Sequence, residues 1–429
     1  MIHLSWGTKL SALSLSGQVV SYVLGIFLAR QLGVQGFEVY VVASAAFILM
    51  VTLVPQGLEK YSLKLLPILI ERGDYGLLRG FLRFSIRRIV LGSVLVGAAV
   101  AAWAWRMDGL STEMRTAIVI SCLSLPAGAL VHMALEVLTA FGRPYPAAVV
   151  FRLLVPATAW LLVLAMWAVA MEMRASWPIA AWGLSWCLAL VLMGRHIVQS
   201  APATIFAQPA IERRREWHVA AMPFWIYRIS IVVLAQAGVL ALEILQPFPS
   251  AVGAFAVAMS TAAIARVLVT STNRVYASRL SVLLERDDMR AIADLRRERL
   301  RWLILPVMAY LVLTFLFASP LVGMFRPEFV QEGAPALRVL AVATAISTVL
   351  ALAPTYLKHQ GRNGVLFRQV AIAAVVQMAL LALLVPRFGS VGAATAYAIA
   401  STFMYASLAW RAHLGLGPPG TAGPDSGAR

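Results

Sequence analysis

Five arginines lie inside long apolar runs of the chain: Arg152, Arg228, Arg266, Arg338 and Arg368. A cation in hydrocarbon costs roughly 3 kcal/mol or more, so it faces an aqueous cavity or a partner unless it can snorkel to the interface. Arg152, Arg338 and Arg368 fall within about a turn of expected span starts, where the two readings weigh equally. Arg228 lies deeper, and Arg266 deeper still, so these two are read as cavity residues. A guanidinium donates two parallel hydrogen bonds to oxygens, which suits phosphate. The acidic residues suggest a second chemistry. Glu136 follows His132 by four residues, on one helix face. Glu243 and Glu38 lie near the outer ends of their expected spans. A carboxylate in a membrane cavity can carry a proton or sodium, which makes Glu136, His132 and Glu243 candidates for ion coupling. The competing reading of His132 and Glu136 is a buried polar pair, or one at the interface, since Phe141-Gly142-Arg143 follows. Glu243 cannot meet Arg228 on the same helix, because fifteen residues span about 22 Å.

These side chains need membrane spans to position them. The chain of 429 residues is 61% hydrophobic and 13% charged, with a mean hydropathy of +0.81. Its apolar runs are about 20 residues long, as helices crossing a bilayer require, rather than the alternating strands of a barrel. Twelve are expected: 11–29, 37–54, 89–105, 118–138, 148–171, 177–193, 220–244, 251–270, 302–325, 335–357, 365–386 and 391–410. The first is read as a retained span, since MIHLSWGTKL has no cleavable signal. Cys122 and Cys187 sit in apolar runs and are expected to be small buried hydrophobes.

With the N-terminus inside, 25 of the 36 Lys and Arg fall on the cytoplasmic side, 6 outside and 5 within spans. That is a strong positive-inside signal. It accounts for the net charge of +17 through anionic lipids rather than nucleic acid. Both termini are then cytoplasmic.

One stretch occurs twice. LPILIERGDYGLLRGFLR at 66–83 aligns with LSVLLERDDMRAIADLRR at 280–297 at an offset of 214. Gly36 and Gly253, Gln18 and Gln236, Gly142-Arg143 and Gly361-Arg362, and Phe151-Arg152 and Phe367-Arg368 recur at offsets of 216 to 219. Both copies of the stretch are amphipathic, and an interfacial helix in the headgroup plane is expected at each. The expected fold is all-α: a polytopic membrane protein of about 12 transmembrane helices in two six-helix lobes related by parallel internal duplication. The lobes are expected at 1–199 and 218–412, joined by a cytoplasmic linker at 200–217 and followed by a disordered tail at 413–429.

No Ser/His/Asp set, metal-ligand spacing, Gly-rich phosphate loop or Walker motif is visible, and every outer loop is short. A membrane-embedded glycosyltransferase, ligase or polymerase is therefore disfavoured, no cofactor is expected, and coupling would fall to protons or sodium.

The stretch ARQLGVQGFEVYVVASAAF, followed by LPILIERGDYGLLRG, resembles the start of polysaccharide-biosynthesis flippases of the multidrug/oligosaccharidyl-lipid/polysaccharide exporter (MOP) superfamily. Their first outer turn often reads L-G-x-x-x-F/Y-G-x-Y. This chain departs from it, with Glu38 where the later glycine falls. Pro386 with FGSVGAATAYAIAS is similar to the P-x-x-G-x-x-G-A-A pattern opening the family's last span. The resemblance covers nearly the whole chain. It implies a flippase of the bacterial inner membrane that moves a polyprenyl-pyrophosphate glycan, an O-antigen, capsule or exopolysaccharide repeat unit, to the outer leaflet by alternating access. It also implies a polysaccharide polymerase and chain-length proteins as candidate partners. Superfamily cavities are walled mainly by spans one, two, seven and eight, which maps Arg266, Arg228, Gln18 and Gln236 to the wall and favours them over Arg152 and Arg368. The alternative is an ion-coupled drug or metabolite antiporter of the same superfamily. Its expected carboxylate-rich cavity contrasts with the mostly positive charges inside these spans.

Overall fold

A computed structural model describes residues 2–170, 172–201, 204–245, 249–265, 276, 279–280, 282–284, 286 and 288–414. Arg266 and most of the expected tail lie outside the described residues. Among those described there is no strand, and nine helical stretches are long and apolar enough to cross a membrane. The first and last are each divided by a glycine, and residues 250–265 add a shorter apolar helix. The architecture is an all-α polytopic membrane fold.

The first half comprises α1 (Ile2–Leu53), α2 (Leu58–Arg72), α3 (Tyr75–Arg106), α4 (Thr112–Ala140), α5 (Pro144–Val149), α6 (Val155–Ala170) and α7 (Ser176–Ser200). A short α8 (Thr204–Ala207) lies in the connection. The second half comprises α9 (Arg214–Leu245), α10 (Pro249–Ala262), α11 (Met289–Gly323), α12 (Val330–Leu350), α13 (Leu352–His359) and α14 (Asn363–Leu414). Within the first half α4 packs on α7, α3 and α1; within the second α14 packs on α9 and α12. The halves meet where α1 packs on α9 and α10, and α2 on α9.

Both long breaks fall on glycines of the quoted patterns. Gly33 divides α1 at φ 73, and Gly389 divides α14 at φ 52, a region that L side chains rarely adopt. Three residues on, a Cβ at Gly392 would lie 2.4 Å from the Leu384 carbonyl.

The duplication is visible in hydrogen bonds. The Asp74 amide donates to the Leu69 carbonyl at 2.9 Å, and the Asp288 amide to that of Leu283 at 3.1 Å. Gly142 and Arg143 reach back to Thr139 and Leu138, as Gly361 and Arg362 reach back to Lys358 and Leu357. In each of this second pair a left-handed glycine ends the helix, as such caps commonly do.

Two expectations are corrected. The stretch 66–83 is not one interfacial helix. Gly73 (φ 72) breaks it into the end of α2 and the start of α3, and α2 buries Leu58, Ser62, Leu66 and Leu69 against the bundle. Cys122 is buried, but Cys187 is exposed, beside exposed Leu184, Leu188 and Val191 on the apolar flank of α7.

A candidate substrate cavity between the halves

The π-helical turn Val150–Leu154 interrupts the helix between α5 and α6. Such turns hold an extra residue and often mark functional sites. This one aims Phe151 at His132 and Trp186, with ring centroids at 5.1 and 5.6 Å, and leaves Arg152 exposed. The carbonyl of Arg152 approaches Gly17 so closely that a Cβ there would lie 2.3 Å from it.

Phe151 forms part of the wall of a cavity of about 320 Å³. Tyr40, Phe47, Trp182 and Trp186 supply further aromatic surface, and His132 and Arg228 the ionisable groups. His132 Nδ1 lies 2.8 Å from the Gly128 carbonyl. A carbonyl only accepts, so Nδ1 carries the proton. Every lining element belongs to the first half except α9, which contributes Arg228 and Val232. The Arg228 guanidinium therefore enters a largely aromatic cavity from the other half, and its buried Nε has no hydrogen-bond partner.

Charge gathers at the basic end of this cavity. Arg228 is within electrostatic reach of His132 and of Glu59. Glu59 is buried, with Oε2 unbonded. Lys60 pairs with the buried Glu136, and Lys358 lies 5.9 Å from the Tyr227 ring. At the other end, buried Glu38 faces half-buried Glu243 across the junction of α1 and α9.

The structure thus gathers Arg228, His132 and Glu136, and places Glu243 at the far end against Glu38. Gln18 lies apart, in a groove of about 240 Å³ between α1 and the segment 260–264, where its Nε2 is 3.5 Å from the Ala263 carbonyl. Arg368 is exposed, and neither it, Arg152 nor the half-buried Gln236 lines the cavity. Sequence reasoning missed Glu59, Lys60 and Lys358, the two lysines falling among the 25 basic residues expected on the cytoplasmic side. A signal was present: Glu59 precedes Ser62 by three residues and Leu66 by seven, the spacing of a single buried face. Among the described residues no three His, Cys, Asp or Glu side chains gather to hold a metal ion.

No protein-family model matches the sequence, and no curated protein matches it. Among solved structures the chain has the fold of MOP superfamily transporters. It resembles a multidrug resistance MATE family transporter in an inward-facing conformation, at TM-score 0.71 and 11% identity over 95% of this chain and 98% of that one. It resembles the lipid II flippase MurJ in an inward closed conformation, at 0.66 and 14% over 96% and 87%. A third is a MOP superfamily transporter from Pyrococcus furiosus, described as having a binding pocket of reversed polarity that suggests a different function, at 0.64 and 13% over 96% and 95%. At these identities the likeness is one of fold.

Proposed function

We propose that the chain is a flippase carrying a polyprenyl-pyrophosphate-linked oligosaccharide from the cytoplasmic to the outer leaflet by alternating access. The observation that carries this reading is Arg228, whose unbonded guanidinium nitrogen is buried at an aromatic cavity between two duplicated halves. A buried donor without a partner is costly, and a phosphate oxygen satisfies it with a charge-assisted bond. Trp182, Trp186 and Phe151 offer flat apolar faces to the carbon-bound hydrogens of sugar rings. The headgroup would enter from the basic end, past Lys60 and Lys358, with its prenyl tail remaining in lipid. Arg266, expected in the eighth span, is a second candidate for the pyrophosphate. Likeness of fold to a lipid II flippase supports a lipid-linked substrate, and that to a transporter of reversed pocket polarity supports a cavity chemistry that varies within one fold.

Coupling is assigned to the Glu38–Glu243 pair, two carboxyl groups facing each other at the end away from Lys60 and Lys358. Glu136 is committed to Lys60 and has the structural part. His132 orients Phe151 and Trp186. The proposed orientation puts the basic end and both termini in the cytoplasm, with lobes at 1–199 and 218–412.

An ion-coupled antiporter of a soluble metabolite or drug is the second reading, favoured by the dominance of aromatic over charged groups in the cavity. One experiment separates the two. Protein reconstituted in vesicles is given a fluorescent polyprenyl-pyrophosphate sugar, and its appearance in the opposite leaflet is measured. Arg228→Ala should abolish flipping while Arg228→Lys retains a fraction, with both proteins folded and inserted. Flipping at the native rate by Arg228→Ala sinks the assignment. Absence of flipping by the native chain, together with exchange of a soluble solute, selects the antiporter.

A further inference from the structure

A second groove lies away from the cavity, on the lipid-facing flank at the basic end. It holds about 310 Å³ and is lined by Gln56, Phe84, Arg87, Arg88, Leu91, Gly92, Leu95, Glu212 and Arg214. Its charge and its apolar surface are arranged along one axis. Arg87, Leu91 and Leu95 follow at i, i+4 and i+8, one stripe of α3 covering about 12 Å. Arg87 is exposed at the top. Leu91 and Leu95 below it are 60% and 70% exposed, flanked by exposed Val90 and Val94.

The top of the groove is built rather than incidental. Arg88 is held from two sides: its Nε donates to Gln56 Oε1 at 2.7 Å, and its guanidinium lies 5.8 Å from the Phe84 ring. Gln56 supplies that acceptor from a left-handed backbone, φ 51, the one non-glycine residue at positive φ among those described. Such strain is maintained where a site requires it. The opposite wall is the connection between the halves, fixed to α3 by the Ile211 amide on the Gly76 carbonyl at 3.0 Å and by Arg79 on the Gln208 carbonyl at 2.8 Å. There Glu212 accepts from Arg214 Nε at 2.5 Å. The groove's ionised side chains are three arginines and one carboxylate, so it is cationic overall.

We infer that this groove binds a phospholipid of the basic-side leaflet, with its phosphate on Arg87 and Arg88 and one acyl chain along Leu91 and Leu95. The stripe selects a lipid over a soluble anion, because a free phosphate has no use for the exposed leucines. Arg214, turned toward Glu212, closes the headgroup from the linker side. A lipid bound here bridges α3 to the connection between the halves. The inference is independent of the transported substrate, since the groove and the cavity share no lining residue.

The test uses the full purified chain in detergent and native mass spectrometry, with dioleoyl phosphatidylglycerol as the probe. Dioleoylglycerol, with the same tails and no phosphate, and inorganic phosphate are the comparison ligands. Arg87→Gln with Arg88→Gln should weaken phosphatidylglycerol retention about tenfold. Arg297→Gln with Arg301→Gln, an equal charge change on the other basic helix, should leave it unchanged. Glu212→Gln should tighten retention, because it removes the one repelling charge. Equal retention by the Arg87/Arg88 double variant and the native chain overturns the site. So does displacement by millimolar inorganic phosphate, or loss of retention on Glu212→Gln.

Discussion

The two ends of the interface between the halves are closed by different chemistry. At the end away from Lys60 and Lys358, the outer one in the proposed orientation, two arginines reach across reciprocally. Arg30 Nε donates to the Met324 carbonyl at 2.8 Å, and an Arg326 terminal nitrogen reaches the carbonyls of Ala29 and Arg30 at 3.2 and 3.3 Å. Each satisfies carbonyls that its partner helix leaves exposed at its end or before a break. At the basic end contact is close and largely aromatic. A Cβ on Gly57 would lie 2.4 Å from the Ala221 carbonyl and 2.7 Å from the Trp225 nitrogen. Trp225 Nε1 donates to the Leu53 carbonyl at 3.0 Å, Tyr61 meets Phe224, and Phe81 meets Trp217 edge-on at 5.3 Å. Directional hydrogen bonds at the rim can exchange with water one at a time. Interlocked backbone and rings release together or not at all. The outer end should therefore respond in a graded way to local chemistry, and the basic end as a switch.

The sharpest way to break this contrast is Gly57→Val. At φ 78 and with no room for a Cβ, the substitution should hold the basic end apart and reduce transport about a hundredfold, since the proposed alternating cycle loses one arm. In a Cys122→Ser, Cys187→Ser background, a cysteine at the buried, cavity-lining Thr52 should then become reactive to a thiol reagent added from the basic side. Unchanged labelling would show that the approach at Gly57 does not hold that end. Replacing both Arg30 and Arg326 by Gln should have the next largest effect. Each bond from a charged donor is worth about 1.5–3 kcal/mol. A cysteine at buried Ala29 should label faster from the outer side, without the complete loss expected at Gly57. Glu38→Gln tests the same end through pH. Two facing carboxyls repel once neither carries a proton, so raising pH should increase labelling at Ala29→Cys in the native chain. An amide at residue 38 does not ionise, so the variant's labelling should vary less with pH. The smallest effect is expected from Trp225→Phe. It removes one hydrogen bond worth about 1 kcal/mol and keeps most of the packing, so a slightly lower melting temperature with near-normal transport is predicted.

The fold was legible because a bilayer forces long apolar helices, and because the duplication left the same residues at the same turns, as Asp74 and Asp288 show. Arg228 was legible because a deep charge in an apolar run needs a reason. Glu59, Lys60 and Lys358 were not, because charges at span ends are common and only the folded chain shows which of them turn inward. The misread amphipathic stretch has a similar cause. Its composition suits the headgroup region, but the Gly73-Asp74 turn sets the end of α2 and the start of α3 as separate helices. Glu38 was noticed as a departure from the flippase pattern, yet its partner Glu243 lies 205 residues away, beyond any periodicity. Arg152 carried a charge in the right kind of run, and the π turn rotates it outward.

That turn also bears on how the chain tolerates change in length. At its start the turn presents Phe151 to His132; downstream Trp160 Nε1 donates to the Val20 carbonyl at 2.9 Å. A plain α-helix advances about 100° per residue, so with one residue fewer between 150 and 154 the two faces fall out of phase. Either the ring leaves the cavity or the indole loses the first span. The extra residue acts as a spacer in angle rather than in length, and a single-codon deletion there should be far more damaging than one in an exposed loop.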